Sequence, residues 1–187
     1  MKDWTGNASI INCNVRRKNA EKHDYYATDP RAVEMLLDQE KFGKSIWEPA
    51  CGEGHISKVL KAYGYHVEST DLVERGFGIG GQDFLKSPYF TSFDGDIITN
   101  PPYKYAKQFV DKALEVVKPG NKVAMFLKLN FLASRGRKEL FVKHPPQTVY
   151  VSSGRLECGK NGNFVGASAV DYAWFVWQKG YPRPDSY

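Results

Sequence analysis

The chain has 187 residues, a net charge of +5 and an apolar content of 42%, which suits one sizeable core and is too short for two comfortable domains. No apolar run approaches the length needed to span a bilayer and the first residues lack the apolar segment of a signal peptide, so we expect a cytoplasmic protein without a membrane partner. The three cysteines, Cys13, Cys51 and Cys158, are far apart and odd in number, and no Cys/His spacing matches a zinc site, so we expect a reducing compartment and no metal.

The first 23 residues show no clear hydrophobic period. They carry three consecutive basic side chains, Arg16, Arg17 and Lys18. We predict that residues 1–23 form a basic arm, ordered only where something packs on it. Residues 24–187 are predicted as one domain, without a separate target-recognition domain.

The rest of the chain alternates helix and strand patterns. The helical segments are TDPRAVEMLLDQEKFG, HISKVLKAYG, YAKQFVDKALEVVKPG and SRGRKELFVK. The strand segments are SIWEP, YHVESTDL, DGDIITN, KVAMFLKLN, TVYVSS and YAWFVWQK. This alternation predicts an α/β fold with a mainly parallel sheet and helices on both faces. The last two strands have no helix between them, so we predict that they form an antiparallel pair.

Two glycine motifs differ in their context. In WEPACGEGH, Glu48 ends a predicted strand, Gly52 and Gly54 form the turn, and a helix begins directly after them. Such glycines let the backbone pass close to a ligand, and in open α/β sheets ligands bind at the carboxyl ends of the strands. The segment GFGIGG (residues 76–81) matches a dinucleotide-binding spacing but does not lie between a strand and a helix. We interpret it as a flexible connection and expect no nicotinamide or flavin cofactor.

Two further acidic residues follow in order. Asp71 ends the next predicted strand, where a carboxylate can accept hydrogen bonds from both hydroxyls of a ribose. Asp83 is placed to accept a hydrogen bond from an adenine amine, with Phe84 against the ring. Each acid alone is more often a turn residue, but their order at successive strand ends favours a nucleoside-binding site.

The segment NPPY (Asn100 to Tyr103) ends the strand DGDIITN. Proline cannot donate to a strand ladder and restricts the residue before it, so two prolines predict an abrupt, rigid corner. The corner has an amide in front of it and an aromatic ring behind it. A kinked strand end with an exposed ring is the plain structural interpretation of the same residues.

The order EPACGEG, Asp71, DFL, NPPY resembles that of the S-adenosylmethionine-dependent amino-methyltransferases, in particular the small N6-adenine DNA methyltransferases of phages and prophages. The segment DYYATDP resembles the motif that these enzymes place near the methionine carboxylate, and AMFLKLNFLASRGRKELF and YAWFVWQKG resemble their later sheet elements. The resemblance implies a Rossmann-like class I methyltransferase fold with a seven-stranded, mostly parallel sheet and an antiparallel last strand. It also implies a bacterial or phage-infected cytoplasm.

The same resemblance implies S-adenosylmethionine as the cofactor and an amine clamp for its methyl acceptor. In the clamp, the side-chain oxygen of Asn100 and the main-chain oxygen of Pro101 accept the two amine protons, Pro102 stiffens the corner, and Tyr103 stacks on a base flipped out of the duplex. The implied cofactor residues are Tyr26, Thr28, Glu48, Pro49, Ala50, Cys51, Gly52, Gly54, Asp71, Leu72, Asp83, Phe84 and Asn100. Cys51 has no base at motif distance, so we expect a buried structural thiol there, and we expect Trp174 and Trp177 in the core.

The clamp does not identify the amine. Enzymes with these four residues methylate adenine in DNA, adenine or guanine in RNA, and glutamine in release factors. Residues 101–147 carry ten Lys and Arg against three Asp and Glu, a net charge of +7, which favours a phosphate backbone as partner. DNA is the leading expectation and RNA its rival, while a glutamine methyltransferase and a non-catalytic regulatory subunit that binds cofactor and nucleic acid stay open.

Sequence-specific DNA methyltransferases carry a recognition segment, and the only room for one here is the glycine-rich loop GRLECGKNGNFVGASAVD (residues 154–171). The expected nucleic-acid contacts are spread over the arm, the region after the clamp and this loop: Arg16, Arg17, Lys18, Lys104, Arg135, Arg137, Arg155, Lys160 and Phe164. Specificity is therefore expected to be loose, or to come from a homodimer or a separate specificity partner.

Overall fold

The computed structural model describes residues 25–87, 91–154 and 170–181, and the backbone of residues 158–160. The strands in this part of the chain are β1 (Tyr26–Thr28), β2 (Ser45–Glu48), β3 (His66–Ser69), β4 (Asp96–Thr99), β5 (Lys122–Lys128), β6 (Thr148–Val151), β7 (Cys158–Lys160) and β8 (Tyr172–Gln178). The α-helices are α1 (Pro30–Gln39), α2 (His55–Ala62), α3 (Ala106–Val116) and α4 (Lys138–Lys143), with 3₁₀ turns at Tyr103–Tyr105, Leu129–Leu132 and Arg135–Arg137. Every helix and strand predicted from the pattern is present.

The main sheet has the strand order β3-β2-β4-β5-β8-β6. Neighbours from β3 to β5 are parallel, and β8 runs antiparallel to both β5 and β6. The predicted antiparallel pairing of the last two strands is confirmed, with β8 inserted between β5 and β6. The described sheet has six strands rather than the seven that the resemblance implied.

Two apolar layers cover the two faces of this sheet. The middle residues of β5 alternate between them, because Val123, Met125 and Leu127 pack with α3 while Ala124 and Phe126 pack with α1 and α2. A strand that is buried on both faces has a continuous run of apolar residues, and this is why β5 and β8 are easily recognised as strands in the sequence.

Trp174 and Trp177 belong to the core, as predicted. Each is only 2% exposed. Their indole N–H groups donate to main-chain oxygens, Trp174 to Ala32 at 2.7 Å and Trp177 to His144 at 3.0 Å. Both indole rings are therefore packed and hydrogen-bonded inside the core, and neither is accessible for stacking on a ligand.

A second, two-stranded sheet was not predicted. β1 pairs antiparallel with β7, with Ala27 opposite Gly159. β7 lies inside the segment 154–171 that the sequence presented as a glycine-rich loop. The two strands have three residues each, too few for an alternating pattern to be recognised.

The GFGIGG segment is tied to the sheet rather than being a flexible connection, so that prediction was wrong. Ile79 donates to the main-chain oxygen of Ser69 at 2.9 Å and accepts from the N–H of Asp71 at 3.0 Å. A side chain at Gly78 would come within 2.6 Å of the Ser69 oxygen, which explains a glycine there. In the described part of the chain, no helix is long and apolar enough to cross a membrane.

Candidate active site

A cavity of about 840 Å³ opens at the carboxyl edge of the main sheet, within the size range typical of ligand pockets, about 300–1,000 Å³. The predicted site residues that line it are Tyr26, Thr28, Glu48, Pro49, Ala50, Cys51, Asp71, Leu72, Asp83, Phe84, Asn100, Pro101, Pro102 and Lys104. Gly52, Gly54 and Tyr103, which were predicted with them, are not among the lining residues. The lining residues lie close together because the strands β3, β2 and β4 are neighbours in the sheet and end at the same edge.

The glycine turn is shaped by two aromatic rings. Gly52 and Gly54 have φ angles of +53° and +79°. A Cβ atom would lie 2.2 Å from the ring of Tyr25 at Gly52 and 2.4 Å from the ring of Phe77 at Gly54. Close packing of these rings, together with the left-handed backbone, therefore accounts for both glycines in the structure.

Glu48 is a buried carboxylate at the end of β2, 1% exposed. Its Oε2 accepts hydrogen bonds from the main-chain N–H of Ser57 at 2.9 Å and from the Ser57 hydroxyl. Burial raises its pKa to about 8, and the charge of Asp71 adds to the effect. At pH 7 this carboxyl group is therefore mostly protonated, and it can release its proton when a cation binds in the cavity.

Asp71 connects the end of β3 to the glycine turn. Its Oδ2 accepts from the N–H of Gly52 at 2.8 Å and its Oδ1 from the N–H of Val73 at 2.8 Å. A carboxylate oxygen has a second lone pair, so these two bonds leave Asp71 with acceptor capacity toward the cavity.

Asp83 and Phe84 also line the cavity. The Oδ1 of Asp83 accepts from the N–H of Leu85 at 3.0 Å. Phe84 is 2% exposed and packs edge-on against Trp47, with ring centroids 5.1 Å apart. Phe84 is thus mainly a core residue that also contributes to the cavity wall.

The side-chain amide of Asn100 is oriented by β1. Its Nδ2 donates to the main-chain oxygen of Tyr26 at 3.0 Å and to the hydroxyl oxygen of Thr28 at 3.0 Å. Pro102 precedes the 3₁₀ turn that leads into α3, and its oxygen accepts from the N–H of Tyr105 at 2.8 Å. The strand therefore ends at the two prolines, as predicted.

Tyr103 packs among aromatic rings instead of lining the cavity. Its centroid lies 5.8 Å from that of Tyr26 and 5.8 Å from that of Tyr172, and the Nζ of Lys128 lies 4.9 Å from it. Its stacking on a flipped base stays a prediction.

Two positive side chains beside the clamp line the cavity. Lys104 follows the corner, and Lys128 ends β5, the strand next to β4. Their Nζ atoms lie over tyrosine rings, and neither lysine forms an ion pair with another residue that the structure describes. Sequence reasoning missed Lys128, although its place at a strand end was the signal that identified Asp71.

Arg137 has a structural role that the sequence did not suggest. Its Nε donates to the main-chain oxygen of Phe131 at 2.6 Å and its Nη2 to that of Asn130 at 3.0 Å. The guanidinium stabilises the turn after β5, while Arg135 is exposed nearby. The predicted contacts Arg16, Arg17, Lys18, Arg155 and Phe164 lie outside the described residues, as does the side chain of Lys160.

Tyr25 and Cys51 complete the wall around the glycine turn. The hydroxyl of Tyr25 lies 3.3 Å from the Nδ1 of His55, and Arg75 lies 4.5 Å above its ring. Cys51 is 4% exposed, and burial raises the pKa of its thiol to about 12. The predicted burial of Cys51 is confirmed, and its lack of reactivity stays a prediction, since a thiolate is the reactive form. No cluster of three or more potential metal ligands occurs among the described residues.

Neither a family model nor a curated protein matches the chain. Several solved structures match it. A protein from Pyrococcus horikoshii, provisionally named an RNA methyltransferase, aligns over 83% of this chain and 87% of its own, with 15% identity and a TM-score of 0.59. A provisionally named class I S-adenosylmethionine-dependent methyltransferase from Listeria monocytogenes aligns over 84% of this chain and 62% of its own, with 13% identity and a TM-score of 0.59. An S-adenosylmethionine-dependent O-methyltransferase from Thermotoga maritima aligns over 84% and 66%, with 17% identity and a TM-score of 0.54.

At these identities the likeness establishes the fold. The chain has the Rossmann-like class I methyltransferase fold, and the predicted fold class is confirmed. It spans less than two thirds of the length of the Listeria and Thermotoga proteins. The Pyrococcus protein is named for RNA, the Thermotoga protein for O-methyl transfer, and the Listeria protein for no acceptor, so their chemistry does not transfer to this chain with the fold.

Proposed function

We propose that the protein transfers a methyl group from S-adenosylmethionine to an exocyclic amine, the N6 amine of adenine in DNA. One observation carries the proposal: the Asn100–Pro101 corner opens into the same cavity as two carboxylates from the neighbouring strand ends. An amide oxygen beside a rigid corner is suited to an amine, and carboxylates are suited to the hydroxyl and ammonium groups of the cofactor.

The residues around the cavity fit this cofactor. Glu48 is buried and nearly neutral, so an ammonium group would compensate for its burial when it ionises. Asp71 would hold the ribose hydroxyls, and Asp83 would accept from the adenine amine. The bound cofactor would supply an activated methyl group, which leaves the protein mainly the task of positioning.

The clamp addresses the weak nucleophilicity of an aromatic amine, whose lone pair is delocalised into the ring. Two acceptors directed at the two N–H bonds favour a pyramidal nitrogen with its lone pair available for attack. Asn100 and Pro101 can supply a side-chain oxygen and a main-chain oxygen for this purpose, and their rigid setting minimises reorganisation. After transfer the nitrogen can lose a proton to water, so no strong base is required.

The charge pattern along the sheet edge supports a polyanionic substrate. In the order β3, β2, β4, β5, the strand ends carry Asp71, Glu48, Asn100 and Lys128. The acidic end suits the cofactor, while Lys104 and Lys128 flank the clamp and suit the phosphates on either side of a flipped nucleotide. A glutamine side chain in a protein would have no need of these two cations.

Replacing Lys104 and Lys128 by glutamine is expected to weaken duplex binding for all sequences alike. The slope of log affinity against log salt should become shallower by about 1 for each lysine, because each phosphate contact releases counterions. The measurement is fluorescence anisotropy of a labelled duplex at several salt concentrations.

The matched control replaces Lys112 and Lys118, which already pair with Glu115 at 3.1 Å and Asp94 at 2.7 Å. This control removes the same number of positive charges at positions away from the clamp. It should retain the wild-type slope. If both double variants change the slope equally, overall charge rather than the clamp region binds the backbone.

The acceptor is tested by offering labelled S-adenosylmethionine with duplex DNA, bulk RNA and a release factor in parallel. We expect the label in DNA, recovered as N6-methyladenine after digestion. Label in RNA or in glutamine would retain the clamp and reject the DNA substrate. Cofactor binding without transfer to any acceptor would reject the catalytic proposal in favour of a regulatory binding subunit.

A further inference from the structure

The amide of Asn100 is held by residues far away in the sequence. Its Nδ2 uses both of its hydrogens on β1, one on the Tyr26 oxygen and one on the Thr28 hydroxyl, each at 3.0 Å. An amide presents an acceptor on one side and a donor on the other. Rotation of the amide by half a turn would place its oxygen against the Tyr26 oxygen, which can only accept, whereas the Thr28 hydroxyl could still donate to the reversed amide.

β1 is held in place by the elements around it. It pairs with β7 on one side, and Ala27 and Thr28 are each 2% exposed. Directly after it, Asp29 caps α1 by accepting from the N–H of Arg31 at 2.9 Å. The Thr28 hydroxyl therefore has a defined position relative to the corner.

We propose that Thr28 is a positioning residue of the amine clamp. The main-chain oxygen of Tyr26, which can only accept, selects the orientation that presents oxygen, not the NH₂ group, to the substrate amine, and the Thr28 hydroxyl holds the Asn100 carboxamide in that position. An amine with two protons needs acceptors, so the reversed amide would place donor against donor. The inference rests on the proposed amine methyltransfer, and it assigns Thr28 a role through Asn100 rather than the cofactor contact that the sequence implied.

Thr99 provides a matched comparison within the chain. It directly precedes Asn100, is fully buried, and its Oγ1 has no hydrogen-bond partner among the described residues. Two buried threonines thus lie beside the same asparagine, and of the two only Thr28 forms a hydrogen bond with its amide. Replacing each by valine removes one hydroxyl with little change in shape.

The kinetic test compares Thr28→Val, Thr28→Ser and Thr99→Val in the full chain. We expect Thr28→Val to lower kcat by about 10- to 100-fold, the range caused by a small misplacement of a reacting group. The KM for S-adenosylmethionine should not change, Thr28→Ser should restore kcat, and Thr99→Val should resemble wild type. A raised KM with unchanged kcat would instead assign Thr28 to cofactor binding and overturn the proposal.

A second readout does not depend on activity. The side-chain NH₂ signals of Asn100, identified by their loss in Asn100→Asp, can be followed by ¹⁵N NMR in each variant. We expect one of the two proton shifts to move in Thr28→Val and neither to move in Thr99→Val. Unchanged shifts in Thr28→Val would refute the positioning contact, whereas an inactive wild-type protein with the expected shifts would refute the proposed function alone.

Discussion

Replacing Asn100 by alanine is expected to lower kcat for methyl transfer by at least about 100-fold, the loss typical of removing one preorganised polar group from a reaction site. The affinity for S-adenosylmethionine should stay close to that of wild type. The reason is that Asn100 Oδ1 would act on the amine in the transition state, whereas the carboxylates of β2 and β3 would hold the cofactor. Single-turnover transfer and equilibrium binding of the cofactor measure the two quantities separately.

Asn130→Ala is a suitable control for this prediction. Asn130 is exposed, and its described contact is through its main-chain oxygen, which accepts from Arg137. The control should retain wild-type kcat. Substantial turnover by Asn100→Ala would contradict the amine clamp, whatever the identity of the acceptor.

Glu48 is expected to make cofactor binding pH-dependent. Burial raises its pKa to about 8, so the empty protein holds the proton at pH 7. Binding of an ammonium group beside it would stabilise the carboxylate and release about one proton at pH 7. Affinity should therefore rise between pH 6 and pH 8, because the proton competes less as pH increases.

Calorimetry in phosphate and in Tris at pH 7 measures the proton release, since the two buffers differ in ionisation enthalpy. Glu48→Gln should bind more weakly at pH 8, release no proton and show no pH dependence from this position. Equal proton release by wild type and Glu48→Gln would assign the titration to another group.

The raised pKa of Glu48 also predicts how the stability of the empty protein depends on pH. The folded-state pKa of about 8 lies above the ordinary glutamate value of 4.5, so the folded protein holds more protons than the unfolded chain between these pH values. The free energy of unfolding of the empty protein should fall as pH rises through this window, and that decline should be smaller in Glu48→Gln. Urea unfolding at several pH values compares the two.

The main sheet and the positions at its carboxyl edge could be predicted because they depend on local patterns. β5 and β8 are continuous apolar runs, and Asp71 and Asn100 directly follow strand segments, so parallel topology brings them together. The corner was readable from Pro101 and Pro102, since proline restricts the backbone in any context.

Contacts between distant segments had no such local signal. The pairing of β1 with β7 joins residues more than a hundred positions apart, and each strand has only three residues. Phe77 against Gly54 and Arg137 on the Phe131 oxygen are equally specific to the tertiary structure. The packing of Phe77 changed the interpretation of a glycine-rich segment from flexible to packed, and the contacts of Arg137 added a structural role to a predicted phosphate contact.

A crystal structure of the protein with S-adenosylhomocysteine tests the central claim most directly. We expect electron density in the cavity at the carboxyl edge, with the ribose at Asp71, the amino group toward Glu48, and the Asn100 amide still held by Tyr26 and Thr28. Density for the ligand elsewhere, or an Asn100 amide turned with its NH₂ group toward the cavity, would contradict it.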